Sequence, residues 1–316
     1  MRHNINSTDV PTFWLIIIIA MRNLLIILIV SFSFALVADD KPLIPTGAVV
    51  EKVAGGYQFT EGPTADQDGD VYFSDIPNNR ILRFDPATDK VRVLIQPSGR
   101  ANGLMFDRRN RLVACQGAAE GGKRRLIRYD HDGGETVLAD RYENKKLNSP
   151  NDLVIDRRGG IYFTDPRYGN RDDMEMTVEA VYYSDRDGTL IRVIDDLERP
   201  NGIILSPGGD TLYVADQAGR TIYAYDVNTD GTVANKRPFV TPAPGGADGM
   251  TVDDRGRLYA ATSAGIEIWN RRGRPVATLK VPEQPSNCAF GGHDRQTLYI
   301  TARTSLYRIK LNATGL

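Results

Sequence analysis

The sequence predicts an all-β protein, a six-bladed β-propeller whose blades are four-stranded antiparallel sheets. Three observations predict this fold: a sixfold internal repeat, a β-branched and aromatic run after the turn of each repeat, and no long amphipathic helical pattern. The composition agrees with it, because 30 Gly and 17 Pro among 316 residues are typical of a turn-rich globular chain.

The repeat consists of six segments that each begin with a polar residue, pass through a turn and end in an apolar strand. Their first residues are Glu61, Asn102, Asn151, Asn201, Asp248 and Asn287. Successive starts lie 41, 49, 50, 47 and 39 residues apart, which is the spacing of propeller blades. Each unit continues into further strand-like runs, such as RILRFDP and KVRVLI in the first. Four short strands per unit are therefore expected.

A turn follows the start of each segment after five residues. Five of these turns begin with a side chain that can accept backbone N–H groups: Asp66, Asp107, Asp156, Ser206 and Asp253. Glycines at 69, 159, 209 and 256 supply the positive-φ position that such turns need. Tyrosines also recur at the repeat period, at 72, 162, 213, 259 and 299, and we expect them to pack between blades rather than bind a ligand.

The last unit is short, since the chain ends soon after SLYRIKL at 305–311. The missing outer strand can come from GAVVEKVAGG at 47–56, which precedes the first unit. Pairing this amino-terminal strand with the last one closes the ring and removes an exposed sheet edge. Residues 39–316 are accordingly predicted to form a single propeller domain.

The amino-terminal 38 residues are predicted to be a signal peptide rather than part of the fold. Arg22, the apolar run 24–36 and the small residue Ala38 follow a second methionine, Met21, which is a candidate for the true start. Neither apolar half of the segment reaches the ~20 residues of a membrane-spanning helix, so no stable span is expected in the mature protein. We expect export to the periplasm or the extracellular space.

The charge and the scarce metal-binding side chains exclude several functional classes. A net charge of −1, from 39 Lys+Arg and 40 Asp+Glu, gives no basic face for nucleic acid. The three histidines are scattered, which argues against a zinc or two-histidine site. Cys115 and Cys288 form no CxxC motif, and buried thiols are the expected state.

The six polar starts are expected to surround one mouth of the central channel. All of them offer carboxylate or amide oxygens, and none carries an imidazole or a positive charge. Converging oxygen donors with two carboxylates suit Ca²⁺, with Mg²⁺ a tighter fit. The alternative is that these residues cap strand starts and order water in the channel. The second strands return to the same mouth and end at Asp75, Gln116, Asp165, Asp216, Thr262 and Ala302.

Four segments, TEGPTAD, SPNDLVID, RPNGIILS and GADGMTVD, resemble the gluconolactonase/regucalcin (senescence marker protein) family of metal-dependent propeller lactonases. The resemblance covers the whole mature chain, and SPNDLV and TDPRYG are similar to the bacterial gluconolactonase branch. It implies that a divalent metal is bound, most suitably Ca²⁺, with Mg²⁺, Mn²⁺ or Zn²⁺ as alternatives. The implied metal ligands are Glu61, Asn151, Asn201 and Asp248.

The resemblance also implies a reaction, the opening of a gluconolactone-like sugar lactone to the hydroxy acid. Asp248 is the candidate general base, and a hydroxide on the metal is the competing account. Asn102 and Asn151 would lie next to the substrate. In the animal branch an arginine stands two places before the third-blade asparagine. Ser149 stands there in this chain, which puts that sugar contact in doubt.

Further predictions concern the loop PRYGNRDDMEM, where Arg167 and Tyr168 are candidates for substrate contact. The alternative is a solvated loop in which Asp165 caps a turn. No G-x-S-x-G motif and no Cys–His pairing supports a covalent acyl-enzyme. Two other functions stay open: a phosphotriesterase-type hydrolase on the same metal site, and a non-catalytic propeller that binds protein or glycan at its mouth.

Overall fold

The computed structural model describes residues 41–316, and these contain six four-stranded antiparallel sheets. The innermost strands of the six sheets contact one another in a closed cycle, so the sheets form a ring. The prediction of a six-bladed propeller is therefore confirmed. The predicted signal peptide, residues 1–38, lies outside the described residues.

The strands of the first three blades follow one another along the chain. Strand β1 (Glu51–Gly55) belongs to the sixth blade. The first blade contains β2 (Thr60–Ala65), β3 (Val71–Asp75), β4 (Arg80–Asp85) and β5 (Lys90–Ile95). The second contains β6 (Ala101–Phe106), β7 (Leu112–Gln116), β8 (Arg125–Tyr129) and β9 (Glu135–Ala139). A hairpin of β10 (Arg141–Tyr142) and β11 (Lys145–Lys146) precedes the third blade, which contains β12 (Leu153–Ile155), β13 (Ile161–Asp165), β14 (Ala180–Ser184) and β15 (Leu190–Ile194).

The remaining blades repeat the same order from the channel outwards. The fourth blade contains β16 (Pro200–Leu205), β17 (Thr211–Asp216), β18 (Thr221–Val227) and β19 (Val233–Val240). The fifth contains β20 (Ala247–Val252), β21 (Leu258–Thr262), β22 (Gly265–Trp269) and β23 (Pro275–Leu279). The sixth contains β24 (Pro285–Gly291), β25 (Thr297–Ala302) and β26 (Ser305–Lys310), and β1 completes it.

The ring closes where the two ends of the propeller meet. Strand β1 pairs antiparallel with β26, with Glu51 opposite Arg308 and Gly55 opposite Ser305. The predicted closure by the amino-terminal strand is confirmed. Since β26 would otherwise be a sheet edge with unpaired backbone groups, β1 removes that edge.

The second strand of each blade forms much of the hydrophobic core. All five residues of β3, β7, β13 and β21 are buried, because each strand lies between two others and beneath neighbouring blades. Three of the five recurring tyrosines, Tyr72, Tyr259 and Tyr299, meet an aromatic ring of the next blade as predicted, whereas Tyr213 packs on Phe239 of its own blade. Tyr72 meets Phe106 of the next blade with ring centroids 4.8 Å apart, and Tyr259 meets Phe290 at 5.2 Å.

The turns between first and second strands have the predicted side-chain caps. Asp66 Oδ1 accepts the N–H groups of Asp68 and Asp70, each at 3.0 Å, and Gly69 has a φ of 91°. Equivalent contacts form in the other four capped turns. The second and sixth turns lack a glycine at the left-handed position, and Asn110 and Arg295 occupy it with φ of 56° and 54°.

Leu43–Leu316 forms one compact unit. Within the described part of the chain, no helix has the length and apolarity needed to cross a membrane. Both cysteines, Cys115 and Cys288, are buried free thiols, as expected.

Candidate active site

A β-bulge lies at the start of five of the six innermost strands. In the first blade, the pairing between β2 and β3 shifts register between Glu61 and Thr64, directly at the predicted site residue. The same shift occurs beside Asn102, Asn201, Asp248 and Asn287. In the third blade, Asn151 lies just before β12 and donates its N–H to the Thr164 carbonyl at 2.9 Å. A β-bulge changes the direction of the side chains beside it. The same local distortion therefore directs five of the six polar residues toward the mouth.

Glycines beside these residues let neighbouring inner strands approach closely. A Cβ added at Gly62 would lie 2.0 Å from the Asn102 carbonyl oxygen, and one at Gly202 would lie 2.3 Å from that of Asp248. A side chain at either position would therefore push the site residues of adjacent blades apart. This explains the repeated pairing of a polar residue with glycine in the sequence.

Two carboxyl groups from different blades face each other at this mouth. Glu61 is buried, and its Oε2 accepts the Gly62 N–H at 2.8 Å and the Asn287 amide at 3.3 Å. Burial, then the nearby Asp248, raises the pKa of Glu61 well above its usual value. Burial also raises the pKa of Asp248 to about 7. These two carboxyls are thus crowded together in a poorly solvated place.

Asn201 connects Asp248 to the rim of the mouth. Its side chain is buried and lies in hydrogen-bonding contact with the Asp248 carboxyl, which lowers the pKa of that group. Its Nδ2 also donates to the Tyr168 hydroxyl at 2.8 Å. Three of the four predicted ligands therefore interact through their side chains: Glu61 with Asp248 through charge, and Asn201 with Asp248 through a hydrogen bond. Asn151 is in the third blade, where its backbone carbonyl accepts the Gly103 N–H at 2.7 Å.

Tyr168 lies at the rim, with 40% of its surface exposed. Its hydroxyl accepts the Asn201 amide and donates to Gln217 Oε1 at 2.6 Å, while the Arg199 guanidinium lies 5.3 Å from its ring centroid. Burial raises the pKa of this phenol, so it remains a neutral donor. Gln217 was not predicted from the sequence, because only the folded loop brings it to Tyr168. The substrate contact of Tyr168 remains a prediction.

The Arg167 side chain is buried and bound by neighbouring backbone and carboxylate oxygens. It is 4% exposed, and Nη1 donates to the Asn148 carbonyl at 2.8 Å while Nη2 pairs with Asp173. These contacts favour a role in holding the loop, and the predicted substrate contact of Arg167 remains untested. Asp165 accepts the N–H groups of Asn148 and Ser149, as in the alternative interpretation of this loop.

Residues 59–304 match the family model described as the SMP-30/Gluconolactonase/LRE-like region. The chain belongs to this family. It is 31% identical over 305 residues to a gluconolactonase of Zymomonas mobilis, covering 86% of this chain and 84% of that protein. The solved structure of a gluconolactonase from Xanthomonas campestris is 32% identical, with a TM-score of 0.78 over 86% of this chain and 95% of that one.

A regucalcin from Agrobacterium tumefaciens, described as a calcium-binding protein, shares the fold. Its TM-score is 0.72 at 20% identity, over 87% of this chain and 97% of that one. The resemblance inferred from the four sequence motifs is thus confirmed. Since relatives in this family are named gluconolactonase and lactonohydrolase, this gluconolactonase-family chain is a lactonase. The family assignment speaks against the non-catalytic alternative.

The mouth of this lactonase suits a divalent cation. The charges that act most strongly on Glu61 are other carboxyls, Asp248 and Asp152, and Asn102 Oδ1 is a buried oxygen without a hydrogen-bond partner. A cation would relieve the repulsion of the carboxyls. Among residues 41–316 no group of three His, Cys, Asp or Glu side chains forms a metal cluster, which is expected when two of four ligands are amides. Carboxylate and amide oxygens are the donors that Ca²⁺ prefers.

Asp152 is a residue of the mouth that sequence reasoning missed. It stands where four other blades have a glycine, and its side chain is 8% exposed. Its carboxyl accepts the N–H groups of Leu153 at 2.9 Å and Ile203 at 3.4 Å, and burial raises its pKa to about 7. The signal was present in SPNDLV, where aspartate replaces the glycine that follows four of the other five polar starts.

A cavity of about 910 Å³ occupies the channel on the turn side of Asp152 and Asn287. Apolar residues of the inner strands, such as Leu104 and Ile203, line much of it, and none of the four predicted ligands does. The four predicted ligands thus lie outside this cavity, at the starts of the inner strands, and we place the active site at that mouth.

Proposed function

We propose that this lactonase opens a sugar lactone at the mouth formed by the inner-strand starts, with Glu61, Asn151, Asn201 and Asp248 holding a divalent cation. The observation that carries the proposal is the pair of crowded carboxyls, Glu61 and Asp248, set among amide oxygens. Ca²⁺ is the ion best suited to this donor set, and Mg²⁺, Mn²⁺ and Zn²⁺ are the alternatives to compare.

When bound, the cation would polarise the lactone carbonyl and offset the negative charge that develops on its oxygen. The protein's part is to hold the ring and move a proton. Water adds to the carbonyl carbon and gives its proton to a carboxylate, and the same proton then passes to the ring oxygen as the C–O bond breaks. The product is the open hydroxy acid.

Asp248 is better placed than Glu61 to accept that proton. Glu61 is 5% exposed, and Gly62 and Asn287 already occupy its Oε2, so it is fixed in a ligand's position. Asp248 keeps more exposed surface than Glu61, so of the two crowded carboxyls it is the one that water and substrate can reach more readily. A general base must lie within hydrogen-bond reach of the attacking water, which favours the residue nearer the opening.

Three side chains are positioned to recognise the hydroxyl groups of a sugar lactone. Asn102 Oδ1 is buried without a partner and can accept a hydrogen bond from a substrate hydroxyl. Tyr168 and Gln217 form a polar pair on the rim, with the Tyr168 ring partly exposed. Unpaired buried acceptors favour ligands that supply the missing donor, so a polyhydroxylated lactone fits better than an apolar one.

A substrate panel tests the proposed function. Gluconolactone, an unsubstituted δ-lactone and an aryl phosphotriester are assayed with chelator, and again after Ca²⁺, Mg²⁺, Mn²⁺ or Zn²⁺ is restored. We expect the sugar lactone to give the highest kcat/KM, and chelator to abolish the activity until a cation returns. Full activity in chelator would overturn the metal site, and preference for the phosphotriester would favour that alternative.

Export remains part of the proposal. Its support is the sequence of residues 1–38, where Arg22, an apolar run and Ala38 form a complete signal after Met21. We expect amino-terminal sequencing of the mature protein to begin near Asp39. A mature chain that starts before Met21 would contradict the predicted processing.

A further inference from the structure

A buried aspartate ends the second strand in three of the six blades. Asp75 ends β3, Asp165 ends β13 and Asp216 ends β17, and their side chains are at most 4% exposed. Each carboxylate accepts two consecutive backbone N–H groups from the segment that leads into the inner strand of its own blade. We call these three residues the lead-in aspartates.

The contacts are alike in all three blades. Asp75 accepts Gln58 N at 3.0 Å and Phe59 N at 3.3 Å, Asp165 accepts Asn148 N at 2.7 Å and Ser149 N at 2.6 Å, and Asp216 accepts Glu198 N at 3.2 Å and Arg199 N at 2.9 Å. In every case the donors stand three and two places before a predicted metal ligand: Glu61, Asn151 or Asn201. The same pair of backbone contacts, at the same spacing, therefore precedes each of three predicted ligands.

The blades without a lead-in aspartate provide the contrast. In the second blade the equivalent residue is Gln116, whose amide donates to the Ser98 carbonyl and whose Oε1 accepts Arg125 Nε rather than two backbone N–H groups. In the sixth blade it is Ala302, opposite Pro285. Neither Asn102 nor Asn287, the polar starts of these blades, belongs to the implied ligand set. The fifth blade carries Asp248 and ends its second strand at Thr262. Three of the four implied ligands therefore have a lead-in aspartate, and neither of the other two polar starts does, which favours a role in ligand placement.

The aspartates that cap the turns between first and second strands lie at the opposite end of the propeller and strengthen this contrast. Asp107 caps the turn of the second blade, which contributes no ligand, just as Asp66 and Asp156 cap the turns of the first and third. Aspartates that stabilise turns therefore occur without regard to the ligand set. Lead-in aspartates occur only in blades that carry a ligand.

We propose that Asp75, Asp165 and Asp216 are positioning residues, which fix the backbone before Glu61, Asn151 and Asn201 so that these side chains meet at one cation. This inference rests on the proposed metal site. Two of the carboxylates are themselves held by a further donor: Asp75 Oδ2 accepts Arg80 Nη2 at 2.8 Å, and Asp216 Oδ1 accepts the Gly219 N–H at 3.2 Å. Partners that orient metal ligands typically contribute about 10- to 100-fold in metal affinity or activity.

Asp216→Asn is the sharpest variant. Each oxygen of Asp216 accepts at least one N–H, so an amide of the same shape must place its NH₂ against a backbone donor. The matched control is Asp156→Asn at the turn end. Asp156 is also buried and accepts Arg158 N at 2.8 Å and Gly160 N at 2.9 Å. Asp156 Oδ2 accepts the Tyr183 hydroxyl at 2.9 Å, so both changes place an amide where each oxygen of a buried carboxylate accepts a hydrogen bond. Only Asp216 binds the segment that precedes a predicted ligand.

The experiment measures Ca²⁺ affinity by titration calorimetry, Tm in chelator, and kcat and KM for gluconolactone. We expect Asp216→Asn to weaken Ca²⁺ binding by about 10- to 100-fold and Asp156→Asn to leave it within about twofold, although both lower Tm to a similar degree. Asp216→Thr is a second variant in case the first does not fold, since the fifth blade has Thr262 at this position.

The outcomes separate this inference from the proposed function. Wild-type protein that binds Ca²⁺ while both Asp216 variants bind it equally well overturns the positioning role alone. Equal losses of affinity in Asp216→Asn and Asp156→Asn also overturn it, because they indicate a general effect of stability. Wild-type protein that binds no divalent cation overturns the metal site, and the positioning role with it.

Discussion

The two ends of the propeller use the same interaction for different purposes. At the turn end, Asp66 and Asp156 accept N–H groups from residues two and four places ahead, so each stabilises its own turn. At the mouth, Asp75, Asp165 and Asp216 accept N–H groups from residues 16 to 18 places earlier. In the proposed account, a buried aspartate serves local stability at one end and ligand placement at the other.

The fifth blade departs from this pattern at the mouth. The segment before Asp248 contains Gly245 and Gly246, both with positive φ, and the second strand ends at Thr262 rather than at an aspartate. The Thr262 hydroxyl donates to the Gly265 carbonyl on the far side of its hairpin. Asp248 is thus the one implied ligand whose preceding segment is not bound by a lead-in aspartate, which is compatible with its proposed second role as the base.

The largest effect is expected for Asp248→Asn. The amide keeps an oxygen ligand of similar size and removes the proposed base, so kcat should fall by about 10²- to 10⁴-fold, far more than Ca²⁺ affinity falls. Steady-state kinetics at saturating Ca²⁺ and titration calorimetry measure the two effects. A kcat near that of wild type would remove Asp248 from the role of base.

Glu61→Gln should act on the cation rather than on the chemical step. It removes one of two charged ligands, and we expect Ca²⁺ affinity to fall by about tenfold or more because ligand charge sets the affinity of such sites. Raising the Ca²⁺ concentration should then restore much of the activity, which is the control that distinguishes it from Asp248→Asn. Activity that stays low at every Ca²⁺ concentration would contradict a ligand role.

Tyr168→Phe should have a smaller effect at the rim. The change removes the hydroxyl that joins Asn201 to Gln217 and leaves the ring in place. A neutral hydrogen bond contributes about 0.5–1.5 kcal/mol, so we expect roughly a two- to tenfold loss in kcat/KM, mainly through KM. Unchanged kinetics on gluconolactone would remove Tyr168 from substrate recognition.

Asp253→Asn, at the turn end, should leave catalysis unchanged. Asp253 is fully buried and accepts Arg255 N at 3.0 Å, Arg257 N at 2.9 Å and the Tyr259 hydroxyl at 2.8 Å. We expect the free energy of unfolding to fall by about 1–3 kcal/mol while kcat and Ca²⁺ affinity stay constant. Denaturant titration and kinetics below the transition check this. If Ca²⁺ affinity falls together with the free energy of unfolding, the turn end and the metal-binding mouth are not independent.

How much the sequence predicts depends on the distance between interacting residues. The repeat period gives the six blades, and spacings within a turn give the caps at Asp66 and Asp156. The lead-in aspartates were recognised only as strand ends, because their partners lie 16 to 18 residues away and depend on strand register. The position of Arg167 also depends on the folded loop, where Asn148 and Asp173 bind it.

A crystal structure of the protein grown with Ca²⁺ tests the site most directly. We expect one ion in the mouth, with oxygens of Glu61, Asn151, Asn201 and Asp248 at about 2.3–2.6 Å. The carboxylates of Asp75, Asp165 and Asp216 should keep their backbone contacts in that structure. An ion bound away from these four residues, or a mouth that holds only water at saturating Ca²⁺, would contradict the assignment.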